Sequence, residues 1–376
     1  MGRKASLGSV SRVVVKFGTT SLTQGGDSIS KDFMDSVAEQ VWRLRQEGIQ
    51  VLIVTSGAVG VGLKAMGVVP KPKEIPIRQA AASVGQGLLM QKWSESFQRY
   101  GILVGQVLMT LDSFSDRESA LNLTNTVESL IANGVVPIFN ENDAVAVAEI
   151  KFGDNDTLSA IVASRMDADL LVILSDIEGL YDSNPRTNPD ARFIPEVRGI
   201  TEEVRSMAGG TTGMGTGGMR TKIAAAEICR DAGCNMIIAS SHAYGAVYRT
   251  VVGDDVGTLF ISDSPISKKR RWIKAAHPSG RLVVDRGALD ALAHHKSLLP
   301  VGIVEVAGTF DKGEVVEVVY DGDIVAKGIS EYPSADLDRI KGRRSSEFEG
   351  ILGYRGHDAV ITDNLVLMWV PPTVTD

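Results

Sequence analysis

The chain has 376 residues, of which 44% are hydrophobic and 23% are charged, values typical of a globular protein with a full core. This length suits two domains, at roughly 100–200 residues per domain. The net charge of −7 argues against a general affinity for nucleic acid, and no apolar run reaches the roughly 18–20 residues that a membrane-spanning helix needs.

The expected location follows from the first residues and from the cysteines. The opening MGRKASLGSVSR carries positive charge but no apolar segment, so we expect no secretory signal. Cys229 and Cys234 are the two cysteines, and their setting predicts buried thiols rather than a disulfide or a metal pair. We therefore expect a cytoplasmic protein.

Up to about residue 262, short apolar runs alternate with longer segments whose apolar residues recur at helical spacing. Because the runs are almost continuously apolar, they predict a mainly parallel sheet covered on both faces. The pattern as a whole predicts a three-layer α/β sandwich with right-handed crossovers. The predicted strands are 13–15, 51–55, 104–109, 135–139, 170–174 and 236–239, and the predicted helices are 31–47, 78–100, 121–133, 158–166 and 221–232.

The pattern changes after the basic run SKKRRWIK at 267–274. Short strands joined by turns with Gly and Asp then predict a small β-rich domain. We place the boundary between residues 274 and 275, which gives domains at 1–274 and 275–376. The strands predicted for the second domain are 281–284, 302–306, 314–319 and 324–329.

Polar residues follow the first two strands directly. Lys16 ends the first strand and precedes Gly18, and Ser56 comes directly after the second strand. In an open α/β sheet the ligand crevice lies beyond the carboxyl ends of the strands. A lysine there, with a glycine that lets phosphate approach the backbone, predicts a phosphate site. The alternative is a lysine that only reaches solvent from a strand end.

The stretch NENDAVAVAEIKFGDNDTLSA at 140–160 concentrates five carboxylates around a single cation, Lys151. Like charges at close range repel, so the stretch is best explained if it faces an amino group, a metal ion or distant lysines. A solvated acidic loop is the alternative. The carboxylates are Glu141, Asp143, Glu149, Asp154 and Asp156.

Two later segments fit a nucleotide. Ser175 and Asp176 end a predicted strand, and the Gly/Thr-rich TTGMGTGGMRTK at 211–222 runs into a helix and delivers Lys222. Such a loop would surround phosphates with backbone N–H groups, although a mobile surface loop has the same composition. No GxxxxGK[ST] occurs, which excludes a P-loop kinase. The glycine spacings at 60–65 and 213–218 are weak dinucleotide signals, because neither directly follows a strand.

In this order, VVVKFGTTSL, IVTSGAVGVG, NENDAVAVAEIKFGDNDTLSA, SDIEGLY and GTGGMRTK resemble the amino acid kinase superfamily. Within it they resemble the glutamate 5-kinase family. The C-terminal GRLVVDRGALDAL and SLLPVGIVEVAGTFDKGEVVEV are similar to a PUA domain. One departure is Ser175, where the family usually has Thr before the Asp.

The resemblance implies an amino acid kinase fold and ATP-dependent phosphorylation of the L-glutamate γ-carboxylate to γ-glutamyl 5-phosphate, the first step of proline biosynthesis. It implies that Lys16 and Lys222 hold the transferring phosphoryl group and that Asp156 positions both lysines. It assigns glutamate binding to Ser56, Asp143 and Asn155. The ATP-binding residues that it implies are Lys16, Ser175, Asp176, Thr216, Gly217, Gly218, Met219, Arg220, Thr221 and Lys222.

Cofactors and partners follow from the same resemblance. Mg²⁺ is expected with ATP, held largely by phosphate and water, so no protein ligand to the metal is named. We also expect a homo-oligomer and feedback inhibition by proline, which is a trait of the family. We expect no membrane partner.

Three other functions remain open at this point. The chain could be a superfamily member that acts on N-acetylglutamate, aspartate, carbamate or UMP. It could bind RNA through the C-terminal domain, but residues 278–376 carry 10 Lys+Arg against 16 Asp+Glu, whereas RNA surfaces are usually basic. The cluster Arg339, Lys341, Arg343 and Arg344 is therefore expected to be a solvated face. A nicotinamide-dependent oxidoreductase would rest only on the weak glycine spacings.

Overall fold

The computed structural model describes the chain apart from residues 1–2, 27, 70–71, 73, 111–116, 146–154, 186, 209–217, 263–268, 271–272, 274–275, 295, 355, 357 and 369–376. The chain divides into two compact units, Met1–Ser264 and Pro265–Asp376. The boundary expected from the sequence, between residues 274 and 275, lies later in the chain and stays a prediction.

The first unit alternates strands and helices. Its helices are α1 (Arg3–Leu7), α2 (Thr19–Thr23), α3 (Lys31–Gln46), α4 (Ala58–Ala65), α5 (Ile75–Gln98), α6 (Arg117–Ala132), α7 (Asn155–Arg165), α8 (Glu202–Met207), α9 (Met219–Ala232) and α10 (Ala246–Val252). Its strands are β1 (Arg12–Phe17), β2 (Gln50–Val54), β3 (Val104–Met109), β4 (Val136–Glu141), β5 (Leu170–Ser175), β6 (Leu180–Tyr181), β7 (Phe193–Ile194), β8 (Glu196–Val197), β9 (Asn235–Ser240) and β10 (Thr258–Phe260).

An eight-stranded sheet in the order β3-β4-β2-β1-β5-β9-β10-β8 forms the centre of this unit. The six strands predicted from apolar runs are all present and pair in parallel with one another. Only the short β10 pairs antiparallel, with β9, among the described strands of this sheet. The predicted mainly parallel sheet is confirmed.

The core lies on both faces of the sheet, because successive residues of each strand point to opposite sides. Along β1, Val13, Val15 and Phe17 pack with residues of α3, α5 and α10 on one face. Val14 faces the other side, among residues of α6, α7 and α9. The predicted three-layer sandwich is therefore confirmed, with β1 buried along its whole length.

Helix α3 illustrates how local sequence sets these elements. The hydroxyl of Ser30 accepts a hydrogen bond from the N–H of Phe33, which satisfies one of the free donors at the helix start. The buried residues then recur at three- and four-residue spacing, so one side of the helix faces the sheet. They include Met34, Val37, Ala38, Val41 and Leu44.

Helices α4 and α5 pack against each other at two glycines. A Cβ atom on Gly62 would lie 1.7 Å from the carbonyl oxygen of Ala81, and one on Gly85 would lie 1.8 Å from that of Ala58. No real Cβ atom can occupy either position, so only glycine permits this contact. The contact holds α5 against the start of α4, which directly follows the polar turn after β2.

The second unit is a five-stranded sheet with short helices. Its strands are β11 (Gly280–Val284), β12 (Ile303–Gly308), β13 (Val315–Tyr320), β14 (Asp323–Ile329) and β15 (Leu365–Leu367), in the order β12-β11-β13-β14-β15. Its α-helices are α11 (Arg286–Ala293), α12 (Ser334–Ile340) and α13 (Phe348–Leu352). The predicted β-rich C-terminal part is confirmed, and β15 and these helices are additions that the sequence did not predict.

Within the described residues, no helix combines the length and the apolar character that crossing a membrane would require. Cys229 and Cys234 are both buried thiols, as predicted.

Candidate active site

The carboxyl ends of neighbouring parallel strands meet at one edge of the large sheet. In the register of the sheet, Lys16 of β1 lies opposite Val54 of β2 and Ile173 of β5, and Val54 lies opposite Phe139 of β4. The polar residues that follow each strand are therefore placed side by side. The predicted crevice at this edge is where most of the predicted site residues lie.

A buried ion cluster joins the end of β1 to the first turns of α7 and α9. Lys16 Nζ donates to Oδ1 of Asp156, and Lys222 Nζ donates to Oδ2 of the same carboxylate at 3.0 Å. Thr221 Oγ1 also donates to Oδ2 of Asp156, at 3.0 Å. The structure thus brings together the three residues for which the family resemblance implies a catalytic role.

This cluster is excluded from solvent, since the exposed fractions of Asp156, Lys16 and Lys222 are 0%, 5% and 4%. Both lysines pair with the same carboxylate. A buried charge is costly unless it is paired, and this shared contact gives each lysine an anionic partner. The carboxylate is itself stabilised by its place in the first turn of α7, where the helix dipole favours negative charge.

Asn155, the residue before Asp156, faces a different set of groups. Its Nδ2 donates to the carbonyl oxygen of Thr55 and to Oγ of Ser56, both at 2.7 Å, and to Oδ1 of Asn140 at 3.2 Å. Two of the three predicted glutamate ligands, Ser56 and Asn155, are therefore in direct contact. The first turn of α7 thus connects the ion cluster to a second polar site beside β2.

The turn after β2 is shaped by its own residues. Gly57 has a φ of 96°, in the left-handed region that favours glycine, and it precedes α4. Trp93 of α5 donates from its indole N–H to Oγ1 of Thr55 at 3.1 Å. This bond anchors the turn on a side chain that is fully buried in the core.

The third predicted glutamate ligand, Asp143, lies in the turn that follows β4 and is half-buried. It shares the carboxyl edge of the sheet with Ser56 and Asn155. Of the acidic stretch, the structure describes Glu141, Asp143 and Asp156, and places Asp156 against two lysines, one of the three alternatives that the clustered charge left open. Glu149, Lys151 and Asp154 lie outside the described residues.

The predicted nucleotide residues occupy the ends of β5 and the start of α9. Ser175 is the last residue of β5, and its Oγ donates to Oδ1 of the exposed Asp176 at 3.1 Å. Gly218 is the N-cap of α9 and has no side chain to cap the helix, whose first turn contains Met219, Arg220, Thr221 and Lys222. A helix start of this kind offers free N–H groups to an anion. Thr216 and Gly217 lie outside the described residues.

The loop after β5 is ordered by aromatic contacts. Tyr181 packs edge-on against Phe193 with ring centroids 5.4 Å apart, and its hydroxyl donates to Glu178 at 2.9 Å. Burial and this hydrogen bond raise the pKa of Tyr181 above its ordinary value.

Three residues of this region were not predicted to have a role. Asn140 was noted only as part of the acidic stretch, yet it is 3% exposed and contacts Asn155. Gln86 and Trp93 lie on α5, far away in sequence from the other site residues. A glutamine among buried positions of a helix is the only signal that could have identified Gln86.

No group of three or more His, Cys, Asp or Glu side chains suited to a metal ion occurs in the described part of the chain.

The structure also shows how the basic cluster of the second unit is paired. Arg339, Lys341 and Arg343 each form an ion pair with a neighbouring carboxylate, as in a solvated charged face.

Comparison with known proteins gives two family matches. Residues 11–240 match the amino acid kinase family, and residues 280–352 match the PUA domain. A curated relative named glutamate 5-kinase, from Methanococcoides burtonii, is 48% identical over 370 residues and covers 97% of this chain and 99% of its own length. A second, from Geobacter sulfurreducens, is 45% identical over 372 residues and covers 97% of this chain and 100% of its own length.

Among solved structures, the carbamate kinase from Giardia lamblia bound to AMP-PNP is similar to this chain. Its TM-score is 0.50 at 18% sequence identity, and the match covers 68% of this chain and 100% of that chain. This likeness concerns the fold alone.

Proposed function

The chain belongs to the amino acid kinase family, and we propose that it transfers a phosphoryl group from ATP to the γ-carboxylate of L-glutamate. The products are γ-glutamyl 5-phosphate and ADP. The observation that carries the proposal is the first turn of α7. Its consecutive residues Asn155 and Asp156 face the polar turn after β2 and the two buried lysines, respectively.

The chemistry of the acceptor explains why the cluster contains lysines rather than a general base. A carboxylic acid with a pKa of about 4.3 is already ionised at neutral pH, so the nucleophile needs no proton removed. The barrier comes from repulsion between this anion and the anionic phosphoryl group. Lys16 and Lys222, held on one carboxylate, would neutralise the charge that the two anions bring together.

Positioning is the second contribution. In-line attack requires the carboxylate and the phosphorus atom to be held in a fixed geometry, which removes much of the entropic barrier. Asp156 ties both lysines to the start of α7, and the same turn presents Asn155 to the acceptor. The first turn of one helix would therefore align the phosphoryl group of ATP with the carboxylate that accepts it.

The residues around the crevice are suited to ATP. The uncapped start of α9 offers backbone N–H groups for phosphate, and Ser175 and Asp176 lie at the end of β5 on the same edge of the sheet. Mg²⁺ would accompany ATP and screen the charge of its phosphates, held mainly by phosphate and water oxygens. We name no protein ligand to the metal.

The acceptor site fits an amino acid with two carboxylates. Asp143 is proposed to bind the α-ammonium group of glutamate, Ser56 a carboxylate, and Asn155 the substrate through its amide. The extent of the similarity to relatives named glutamate 5-kinase supports glutamate over N-acetylglutamate, aspartate, carbamate or UMP.

We also propose the wider setting that this activity entails. The enzyme would act in the cytoplasm, as a homo-oligomer, at the first step of proline biosynthesis, and proline would inhibit it by feedback. The kinase domain would end at residue 274 and the PUA domain would begin at residue 275.

The function is tested by coupling ATP hydrolysis to the formation of a hydroxamate from the acyl phosphate. We expect glutamate to give hydroxamate, with aspartate and N-acetylglutamate giving far less. Equal or faster turnover of another acceptor would assign the chain to a different activity of the family.

A further inference from the structure

The amide of Asn155 is fixed in one orientation by its surroundings. One of its side-chain atoms lies 2.7 Å from the main-chain carbonyl oxygen of Thr55, which can only accept a hydrogen bond, so this atom is Nδ2. The same Nδ2 faces Oγ of Ser56 and Oδ1 of Asn140. Its two hydrogens are thus shared among three acceptors of the protein, and none is left for a ligand.

The orientation is transmitted to the next two amides. Asn140 accepts from Asn155 through Oδ1, so its Nδ2 points the other way and donates to Oε1 of Gln86 at 2.8 Å. Both residues are buried, with exposed fractions of 3% for Asn140 and 7% for Gln86. The three amides therefore form a chain in which Asn155 donates to Asn140 and Asn140 donates to Gln86 on α5.

Gln86 ends this chain with a donor that the protein does not satisfy. Its Nε2 is buried and has no hydrogen-bond partner among the described residues. If the Gln86 amide turned over, Nε2 would face Nδ2 of Asn140, donor against donor. The Gln86 amide therefore keeps this orientation although its buried Nε2 has no hydrogen-bond partner in the part of the chain that the structure describes. Unsatisfied buried groups of this kind are typical of functional sites.

The consequence for the site is chemical. Because Nδ2 of Asn155 is used internally, Oδ1 is the side-chain atom that can meet a ligand, and this atom only accepts. A group with hydrogens to donate is favoured opposite it, and a carboxylate is disfavoured. In a dicarboxylic amino acid the donor is the protonated amino group.

We propose that Gln86 and Asn140 are positioning residues that hold the carbonyl oxygen of Asn155 toward the substrate, so that the site selects an acceptor with a protonated α-amino group. This inference rests on the proposed function. Gln86 acts through Asn140 and touches neither substrate nor nucleotide.

The test compares Gln86→Met with Gln86→Glu. Methionine keeps the length of the side chain but removes the acceptor of Asn140, whose amide then turns and displaces that of Asn155. We expect KM for glutamate to rise roughly tenfold, as for the loss of one hydrogen bond, with KM for ATP and kcat nearly unchanged. The Gln86→Glu variant keeps an acceptor oxygen at the same place, so its KM for the substrate glutamate should return close to that of the unmutated protein.

Glutarate, the same dicarboxylate without the amino group, separates positioning from a general structural effect. Its inhibition constant against glutamate should change by less than about twofold in Gln86→Met, because it makes no donor contact with Asn155. Gln91→Met is the matched control, since Gln91 lies on the exposed side of α5 and donates to Glu95. It should leave all constants unchanged.

Three results would overturn the inference while the unmutated protein turns over glutamate normally. The first is an unchanged KM for glutamate in Gln86→Met, and the second is an equal loss for glutamate and glutarate. The third is a Gln86→Glu variant that does not restore glutamate binding. If the unmutated protein does not phosphorylate glutamate at all, the proposed function fails and this inference fails with it.

Discussion

The carboxylate of Asp156 and the ammonium group of Lys222 lie 3.0 Å apart, and both are almost completely excluded from solvent. Asp156 comes from the first turn of α7 and Lys222 from the first turn of α9. The pair therefore joins two helix starts at one point, and Lys16 completes the contact from the end of β1. Substitution of any of these three residues should lower turnover, and the effect on the free energy of unfolding should depend on which of them is replaced.

Removal of either lysine should reduce turnover. In Lys16→Ala or Lys222→Ala, kcat for glutamate phosphorylation should fall by about two to three decades, the usual loss for a preorganised charge that stabilises a transition state. Steady-state kinetics on the purified variants measures this. Lys31→Ala is the control, because Lys31 forms an exposed ion pair with Asp35 on α3. Near-normal kcat in a folded lysine variant would remove that lysine from the mechanism.

Removal of the shared carboxylate should also destabilise the fold. Asp156→Asn removes the negative charge that two buried lysines share, and breaking a buried ion pair from one side costs about 3–5 kcal/mol. We expect a lower urea midpoint together with a large loss of kcat. Asp231→Asn, which breaks an exposed pair with Arg230, should change the midpoint little. Equal midpoints for the two variants would contradict the burial argument.

Much of this fold could be predicted from the sequence because a parallel sheet covered on both faces leaves a strong signal. Strands such as Leu170–Ser175 are apolar almost throughout, and long helices such as Lys31–Gln46 show clear helical spacing. No bounds could be predicted for the short helix Ala58–Ala65, since its glycines weaken the helical pattern and are explained only by contact with α5. The helix Ala246–Val252 was missed, being only seven residues long.

The residues of the candidate site also differ in whether the sequence could predict them. Lys16, Ser56 and Asp156 stand directly at strand or helix ends, so the sequence brings them to one edge of the sheet. Gln86 could not be predicted, because its role depends on the packing of α5 against α4 and on the register of β4. Such contacts between distant segments leave no local pattern.

The larger unit should function without the C-terminal one. The residues assigned to the site and the two core clusters of the large sheet all lie within Met1–Ser264. A chain that ends at residue 274 should therefore fold and phosphorylate glutamate with a KM within about threefold of the full chain. Circular dichroism and the hydroxamate assay measure the two properties. A folded truncation without activity would contradict the assignment of all catalytic residues to the first unit.

Substrate choice gives the sharpest prediction, and it concerns Asp143. Asp143→Asn removes the negative charge proposed to hold the α-ammonium group of glutamate and keeps the shape of the side chain. A charge-assisted contact is worth roughly 1.5–3 kcal/mol, so KM for glutamate should rise about tenfold to a hundredfold. KM for ATP should change much less, since Ser175, Asp176 and the start of α9 lie on other elements.

The same contact predicts that N-acetylglutamate is a poor acceptor for the unmutated enzyme, because acetylation removes the positive charge. Asp190→Asn, in an exposed turn, is the control and should leave both KM values unchanged. An unchanged glutamate KM in Asp143→Asn would show that another group binds the ammonium. Equal turnover of glutamate and N-acetylglutamate would place the enzyme with a different substrate class of the amino acid kinase family.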